Sequence, residues 1–413
     1  MKRRLFIQSG TLAPLAALSH SLSPASTGAQ NLTIHGGMVD TVEDRYYYSK
    51  RLLHTLCTDY GPRPVGSEAF NRGIRLIADE MKRSLPEVFL DEFSIDRWEL
   101  VGEPSLMVGG TKIETYQHHG SAGTPDAGVR GVLRKYDNGY PYGIADPQTG
   151  VKLAEITISS YGPAIPANAY RNGTFSELPI FGVGKYDRPL LDRAVTEKSA
   201  ASARSIVKIT PDVPSWNAVG TLPGRTAKEI LVIAHADTVY TSPGANDNTA
   251  SVVVMIMMAH ELAKTAHDYT LTFVASGSEE FGYQGAYGYA KRRFDEDTLN
   301  NIEYILQFDS LTYGPDFLLT SEDTELRDIA DSINSEFKIN GTPRHVENTE
   351  WVMDSLPFKT SGARAIYINS RGYDGVTLPV YHRPEDIPVT VGFDCVDNSF
   401  RVFTEFIRRL ERL

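Results

Sequence analysis

From residue 206 onward, short apolar runs alternate with amphipathic stretches, and this alternation leaves few folds open to the chain. Residues 229–234, 270–275, 302–308 and 363–369 read as strands, and 249–265, 287–294, 325–337 and 396–413 as helices. Strands that alternate with helices build a mainly parallel sheet covered on both faces. The fold class expected is α/β, a mainly parallel mixed sheet flanked by helices. In such sheets ligands bind beyond the carboxyl ends of the strands, so the residues just after each strand are where chemistry is to be sought.

The first half of the chain reads differently. Residues 42–57 and 71–85 have helical character, and between them lies the turn-rich loop Gly61-Pro62-Arg63-Pro64-Val65-Gly66-Ser67. Residues 88–100 fit a strand near a sheet edge. Over 104–205 glycine and proline are frequent, with short strand-like runs at 131–134 and 156–159 and a helical stretch at 188–197. The expected organisation is an export signal over 1–29, a first part of the main domain over 30–103, a smaller and largely β inserted domain over 104–205, and the larger part of the main domain over 206–413.

Composition narrows the functions. The chain of 413 residues is 41% hydrophobic and carries a formal net charge of −11. An acidic balance argues against a nucleic-acid partner, whose binders present a basic face. No apolar run approaches the roughly 18–20 residues that span a bilayer. The start is basic at Lys2, Arg3 and Arg4, then apolar over 12–18. Arg3-Arg4-Leu5-Phe6-Ile7 resembles a twin-arginine export signal, and Thr27-Gly28-Ala29 supplies small residues for cleavage. The expected location is therefore the periplasm or the exterior of a bacterium, with no stable membrane insertion once the signal is gone. Cys57 and Cys395 are the two cysteines. They are too few for a cysteine zinc site; they either form one bridge or stay as free thiols.

Each strand-like run from 229 onward leads into a polar group. Leu231-Val232-Ile233-Ala234 leads to His235-Ala236-Asp237, and Phe273-Val274-Ala275 to Ser276-Gly277-Ser278-Glu279-Glu280. Phe308 leads to Asp309, and the stretch after Ile368 reaches Tyr381-His382. Asp247 lies in Gly244-Ala245-Asn246-Asp247-Asn248, the turn that opens the next helix. Two histidines and several carboxylates would converge at one sheet edge. Carboxylates so crowded repel one another and take up protons, and divalent cations relieve this. A mixed imidazole and carboxylate set suits zinc better than magnesium. Five ligating side chains exceed what one catalytic zinc takes; they fit two zinc ions sharing one carboxylate at roughly 3.5–4 Å.

In their order, H-x-D, G-A-x-D-N, E-E-x-G, F-D and Y-H-x-P-x-D resemble the co-catalytic zinc aminopeptidases of peptidase family M28, which includes bacterial leucyl aminopeptidases and carboxypeptidase Q. The resemblance runs from about Tyr48 to the C-terminus. It implies a zinc-peptidase α/β/α sandwich and two Zn2+ per chain. It places His235 and Asp309 on one ion, Glu280 and His382 on the other, and Asp247 between both, with water or hydroxide as a second bridge. Asp237 would accept the other ring N–H of His235, Glu279 would be the general base, and Tyr381 would donate to the oxyanion. The bond between Asp247 and Asn248 would be cis. The segment Leu178-Pro179-Ile180-Phe181-Gly182-Val183 resembles part of the protease-associated domain that many relatives carry. The chain departs from the family at Val252, at Ser278 and near Asp354, where a histidine often found in the family is absent.

The function implied is hydrolysis of peptides, with release of N-terminal residues. A dipeptidase or carboxypeptidase could work through the same site. A glutaminyl cyclase would have a related fold and one zinc, and a binding module would have lost ligands or base. Six further histidines, His54, His118, His119, His260, His267 and His345, match no motif and are read as structural.

Overall fold

The computed structural model describes residues 38–137, 139–170, 173–339, 344–346, 353–371 and 380–413. The expected export signal lies outside them. Helix α1, Val42–Leu53, begins at a capping box in which the Thr41 side chain accepts from Asp44 N and the Asp44 carboxylate accepts from Thr41 N. It passes into one wider π turn, His54–Asp59, so its α-helical part stops short of the expected residue 57. Helix α2, Glu68–Met81, starts where Ser67 Oγ accepts the N–H of Phe70, which places it three residues earlier than periodicity suggests.

Strand β1, Glu87–Val108, precedes β2 (Thr111–Ile113), β3 (Thr115–Gln117), β4 (Val129–Lys135), β5 (Tyr142–Ala145), β6 (Lys152–Ile158) and β7 (Ile180–Val183). Helix α3 (Arg188–Thr196) then leads into β8, Ala200–Leu222. β1 and β8 pair antiparallel along most of their length, with two register shifts. The far end of β8 pairs with β4, and its near end joins the main sheet. Both borders of the expected insert fall within these two strands. Around their far ends a separate apolar cluster forms, including Leu106, Leu133, Ile156, Phe181 and Leu191.

The remaining elements are β9 (Glu229–His235), α4 (Ala250–Leu262), β10 (Thr270–Ser276), α5 (Gln284–Asp295), β11 (Ile302–Phe308), β12 (Asp316–Thr320), α6 (Thr324–Glu336), β13 (Arg344–Val346), β14 (Arg364–Arg371) and α7 (Phe393–Leu410). The main sheet runs β13-β12-β14-β11-β9-β10-β8. Its centre, β14-β11-β9-β10, is parallel, and β12 and β8 enter antiparallel. All seven residues of β9 are buried, as a strand covered on both faces requires. Helix α4 is apolar almost all round because it is enclosed: every residue but Glu261 is buried. Among the described residues, no helix is long and apolar enough to cross a membrane.

Register decides where the polar groups emerge. Ser276 pairs with His235, and Phe308 pairs with both Ala234 and Ile368. Three parallel strands therefore end level with one another, and the polar residues at their ends are delivered to one edge.

The Gly61 to Ser67 loop supports that edge from behind. Arg63 is 2% exposed. Its guanidinium donates to the carbonyls of Leu56 (2.5 Å), Gly61 (2.9 Å) and Pro243 (3.1 Å) and to Thr249 Oγ1 (2.5 Å). Its main chain exchanges bonds with Thr238. One side chain thus ties the stretch from Leu56 to Gly61 to both sides of the Asp247 turn. Arg63→Met removes every one of these donors and leaves buried acceptors unpaired. Urea unfolding is expected to show a loss of about 3 kcal/mol; a loss below about 1 kcal/mol would mean that water replaces the guanidinium.

Candidate metal centre

His235 ends β9, and its Nε2 faces Asp247 Oδ1 at 3.4 Å and Asp309 Oδ1 at 3.8 Å. His382 Nε2 faces Glu280 Oε2 at 3.1 Å and Asp247 Oδ2 at 3.5 Å. Each oxygen of the Asp247 carboxylate therefore addresses a different histidine. Two buried triads result, His235/Asp247/Asp309 and Asp247/Glu280/His382, with the donor atoms of each within 4.8 Å of one another. They share Asp247. The structure brings together all five residues expected as ligands. Donor chemistry fits the ion expected: each triad offers one imidazole and two carboxylates, a set that suits zinc.

The segment bearing Asp247 is held from several directions. Asp386 accepts the N–H of Asn246 (2.9 Å) and of Asp247 (3.1 Å) and the Asn246 side-chain amide (2.9 Å). Asn248 Nδ2 donates to the carbonyl of Phe308, and its Oδ1 accepts the N–H of Ser310, each at 2.9 Å. Asn248 thereby links the Asp247 turn to the Asp309 turn. The Asp247-Asn248 peptide bond is cis, as the resemblance implies. Asp247 does not cap the helix that follows: α4 starts at Ala250 with no side-chain cap.

Each histidine has its tautomer fixed by a main-chain carbonyl. His235 Nδ1–H donates to the carbonyl of Asp237 at 3.1 Å, and His382 Nδ1–H to the carbonyl of Pro166 at 3.0 Å. Both rings then turn Nε2 toward the carboxylates. This corrects one expected role. The Asp237 carboxylate stands 3.7 Å from His235 Nδ1, beyond hydrogen-bond reach. It accepts instead the N–H groups of Glu279 (3.1 Å) and Glu280 (3.2 Å). Asp237 orients His235 through its backbone, and with its side chain it shapes the turn that carries both glutamates.

Burial and charge act together at this edge. Burial, with Glu280 adding repulsion, raises the Asp247 carboxyl to about 6. Burial lifts Asp237 to about 7 and Asp354 to about 6. Burial also opposes charge on His382, but the facing Glu280 and Asp247 outweigh it and raise that imidazole to about 9. Glu279 belongs to neither triad; its Oε2 lies 4.0 Å from His235 Nε2. Burial above all holds its carboxyl well above the ordinary range. Tyr381 stacks on His382 with ring centroids 3.8 Å apart. Burial, then the Asp247 and Glu280 charges, keeps its hydroxyl protonated.

Several supporting residues escaped the motif reading. Asp386 closes the Y-H-x-P-x-D motif, so its position was visible but its task was not. Tyr367 donates to Asp309 Oδ2 at 3.1 Å, and Ser276 to Asp354 Oδ2 at 2.5 Å. Pro166 carries no local signal, being 216 residues from its partner His382. Both cysteines are free thiols, which removes the bridge from the alternatives. None of the six histidines read as structural joins either triad.

Residues 217–407 match the model for peptidase family M28. Aminopeptidase YwaD of Bacillus subtilis is 28% identical over 255 residues, covering 55% of this chain and 54% of that protein. A probable lipoprotein aminopeptidase of Mycobacterium tuberculosis, LpqL, is 26% identical over 61% of this chain and 55% of its own length. The chain thus spans about half the length of these curated relatives. Among solved structures, a zinc aminopeptidase from Bacillus subtilis superposes with a TM-score of 0.68 at 21% identity, covering 88% of this chain and 94% of that one. A peptidase M28 precursor from Shewanella amazonensis gives 0.72 at 15% identity, with coverage of 88% and 93%. These two share the fold.

Proposed function

Because residues 217–407 match the model for peptidase family M28, we propose that the chain is a zinc-dependent exopeptidase that releases N-terminal residues from peptides. The observation that carries this reading is the pair of triads sharing Asp247, with Glu279 beside them and outside both. His235, Asp247 and Asp309 would hold one Zn2+, and Asp247, Glu280 and His382 a second. Bound zinc supplies Lewis acidity, which polarises a carbonyl and lowers the pKa of water.

The chain's own residues do the rest. Glu279 takes the proton of the attacking water and passes it to the leaving amine. Tyr381, kept protonated, donates to the oxygen of the tetrahedral intermediate. Asp237 holds the turn that aims Glu279. Residues 104–205 form a protease-associated-like inserted domain that walls the site through Pro166. The protein is exported, as the Arg3-Arg4 segment suggests; sequencing the N-terminus of the mature protein checks this, and an intact Met1 refutes it.

Product analysis by mass spectrometry decides the activity. A panel of small peptides with free and with acetylated N-termini is incubated with and without a chelator. Chelator-sensitive release of single residues from free N-termini only is the expected result. Release from the C-terminus, or from dipeptides alone, would replace the aminopeptidase with a carboxypeptidase or a dipeptidase. Cyclisation of N-terminal glutamine with one zinc per chain would replace it with a cyclase.

A further inference from the structure

One peptide group connects two histidines of different parts of the fold. The carbonyl of Pro166 accepts from His382 Nδ1–H at 3.0 Å. The N–H of the same peptide belongs to Ala167, and it donates to His118 Nδ1 at 2.8 Å. An amide donor requires a lone pair on that nitrogen, so His118 carries its proton on Nε2. There it donates to Thr157 Oγ1 at 2.7 Å. A chain of bonds therefore runs from Thr157 in β6 through His118 to the Pro166–Ala167 peptide, and from there to His382 in the metal centre.

The chain of bonds is firmly seated. His118 is 5% exposed and Pro166 is buried. The His118 main-chain N–H donates to the carbonyl of Ile180 in β7. The strand beneath leaves the loop no slack: a Cβ on Gly182 would lie 2.4 Å from the carbonyl oxygen of Ile165 and 3.0 Å from His118 Cε1. Hydrogen bonds in series polarise one another, so a partner on the N–H of a peptide strengthens its carbonyl as an acceptor. Partners that orient a metal-binding histidine typically contribute 10–100-fold to metal affinity.

We infer that His118 is a positioning residue for His382: it holds the Pro166–Ala167 peptide in the orientation whose carbonyl fixes the His382 tautomer. The inference rests on the reading of His382 as a zinc ligand. It gives residues 104–205 a direct part in the metal centre, so that this segment cannot swing away without releasing a ligand's partner. It also assigns a task to a histidine that no motif accounts for.

Zinc affinity tests it, measured on the folded full chain by competition with a chromophoric chelator. Wild type is compared with His382→Ala, His118→Ala, His118→Asn and Thr157→Val. His382→Ala is expected to lose one of two ions. His118→Ala is expected to keep both, with the His382 site weakened about tenfold and the His235 site unchanged; a general loss of structure would weaken both alike. His118→Asn places an acceptor oxygen near the former Nδ1 and should restore most of the affinity. Thr157→Val should weaken the same single site by less. Wild-type affinity at both sites in His118→Ala, alongside loss of an ion in His382→Ala, overturns the inference alone. Retention of both ions by His382→Ala overturns the ligand reading and the inference with it. Should His118→Ala fail to fold, Thr157→Val carries the test, and wild-type affinity there overturns the inference.

Discussion

Glu279→Gln is expected to remove turnover and leave the metal centre whole. Glu279 lies outside both triads, so a neutral amide of the same shape costs no ligand. It does cost the proton acceptor. A positioned general base contributes roughly 10²–10⁴ in rate, and kcat should fall by that much or more. The side chain is 11% exposed, and burial already disfavours its charge, so the neutral amide should not destabilise the fold. Zinc content by elemental analysis and kcat on one N-terminally free peptide are the two measurements. Unchanged zinc with lost turnover supports the role; retained turnover refutes it. Lost zinc would place Glu279 among the ligands instead.

Asp247→Asn should have the widest effect on metal binding. Each ligand of one triad is expected to affect one ion, but Asp247 serves both, one oxygen to each histidine. The amide keeps the shape and removes the negative charge. It also replaces one oxygen with an NH2 that cannot ligate. Both affinities should drop by more than the 10–100-fold typical of an outer partner. Stability should fall too, because an ion bound only by the folded state adds about 4 kcal/mol when present at 1,000 times its Kd. A chelator should therefore lower the Tm of wild type markedly and that of Asp247→Asn hardly at all. If the variant holds one ion at wild-type affinity, Asp247 does not bridge.

The two variants separate chemistry from assembly because the structure separates them. Glu279 and Glu280 are neighbours in sequence, yet one stands apart from the triads and the other belongs to one. The Asp237 carboxylate makes this possible by accepting both of their N–H groups, which holds the turn with the two side chains directed differently.

The elements that carry the two triads were legible in the sequence for a definite reason. A strand buried on both faces is a short continuous apolar run, and β9, β10, β11 and β14 lie where such runs predict. In a parallel sheet every such strand ends at the same edge. His235, Glu280 and Asp309 therefore had to meet once the strands were recognised, and the ordered motifs added Asp247 and His382. Boundaries were less legible where a side chain outside the periodic stretch sets them, as Ser67 does for α2. The long antiparallel pair β1 and β8 was underestimated, since its pairing joins residues 93 to 134 positions apart.

The sequence by itself determined the fold class, the edge at which the site forms and the identity of the groups gathered there. Those come from local periodicity and from which residue stands next after a strand. The tertiary structure alone decided how those groups are held. Pro166 reaches His382 across 216 residues, the Asp237 carboxylate turns from His235 to the glutamate turn, and Arg63 gathers four neutral oxygens around itself. Hydrogen-bond partners of this kind are selected by distance and direction in space, and no spacing along the chain encodes them.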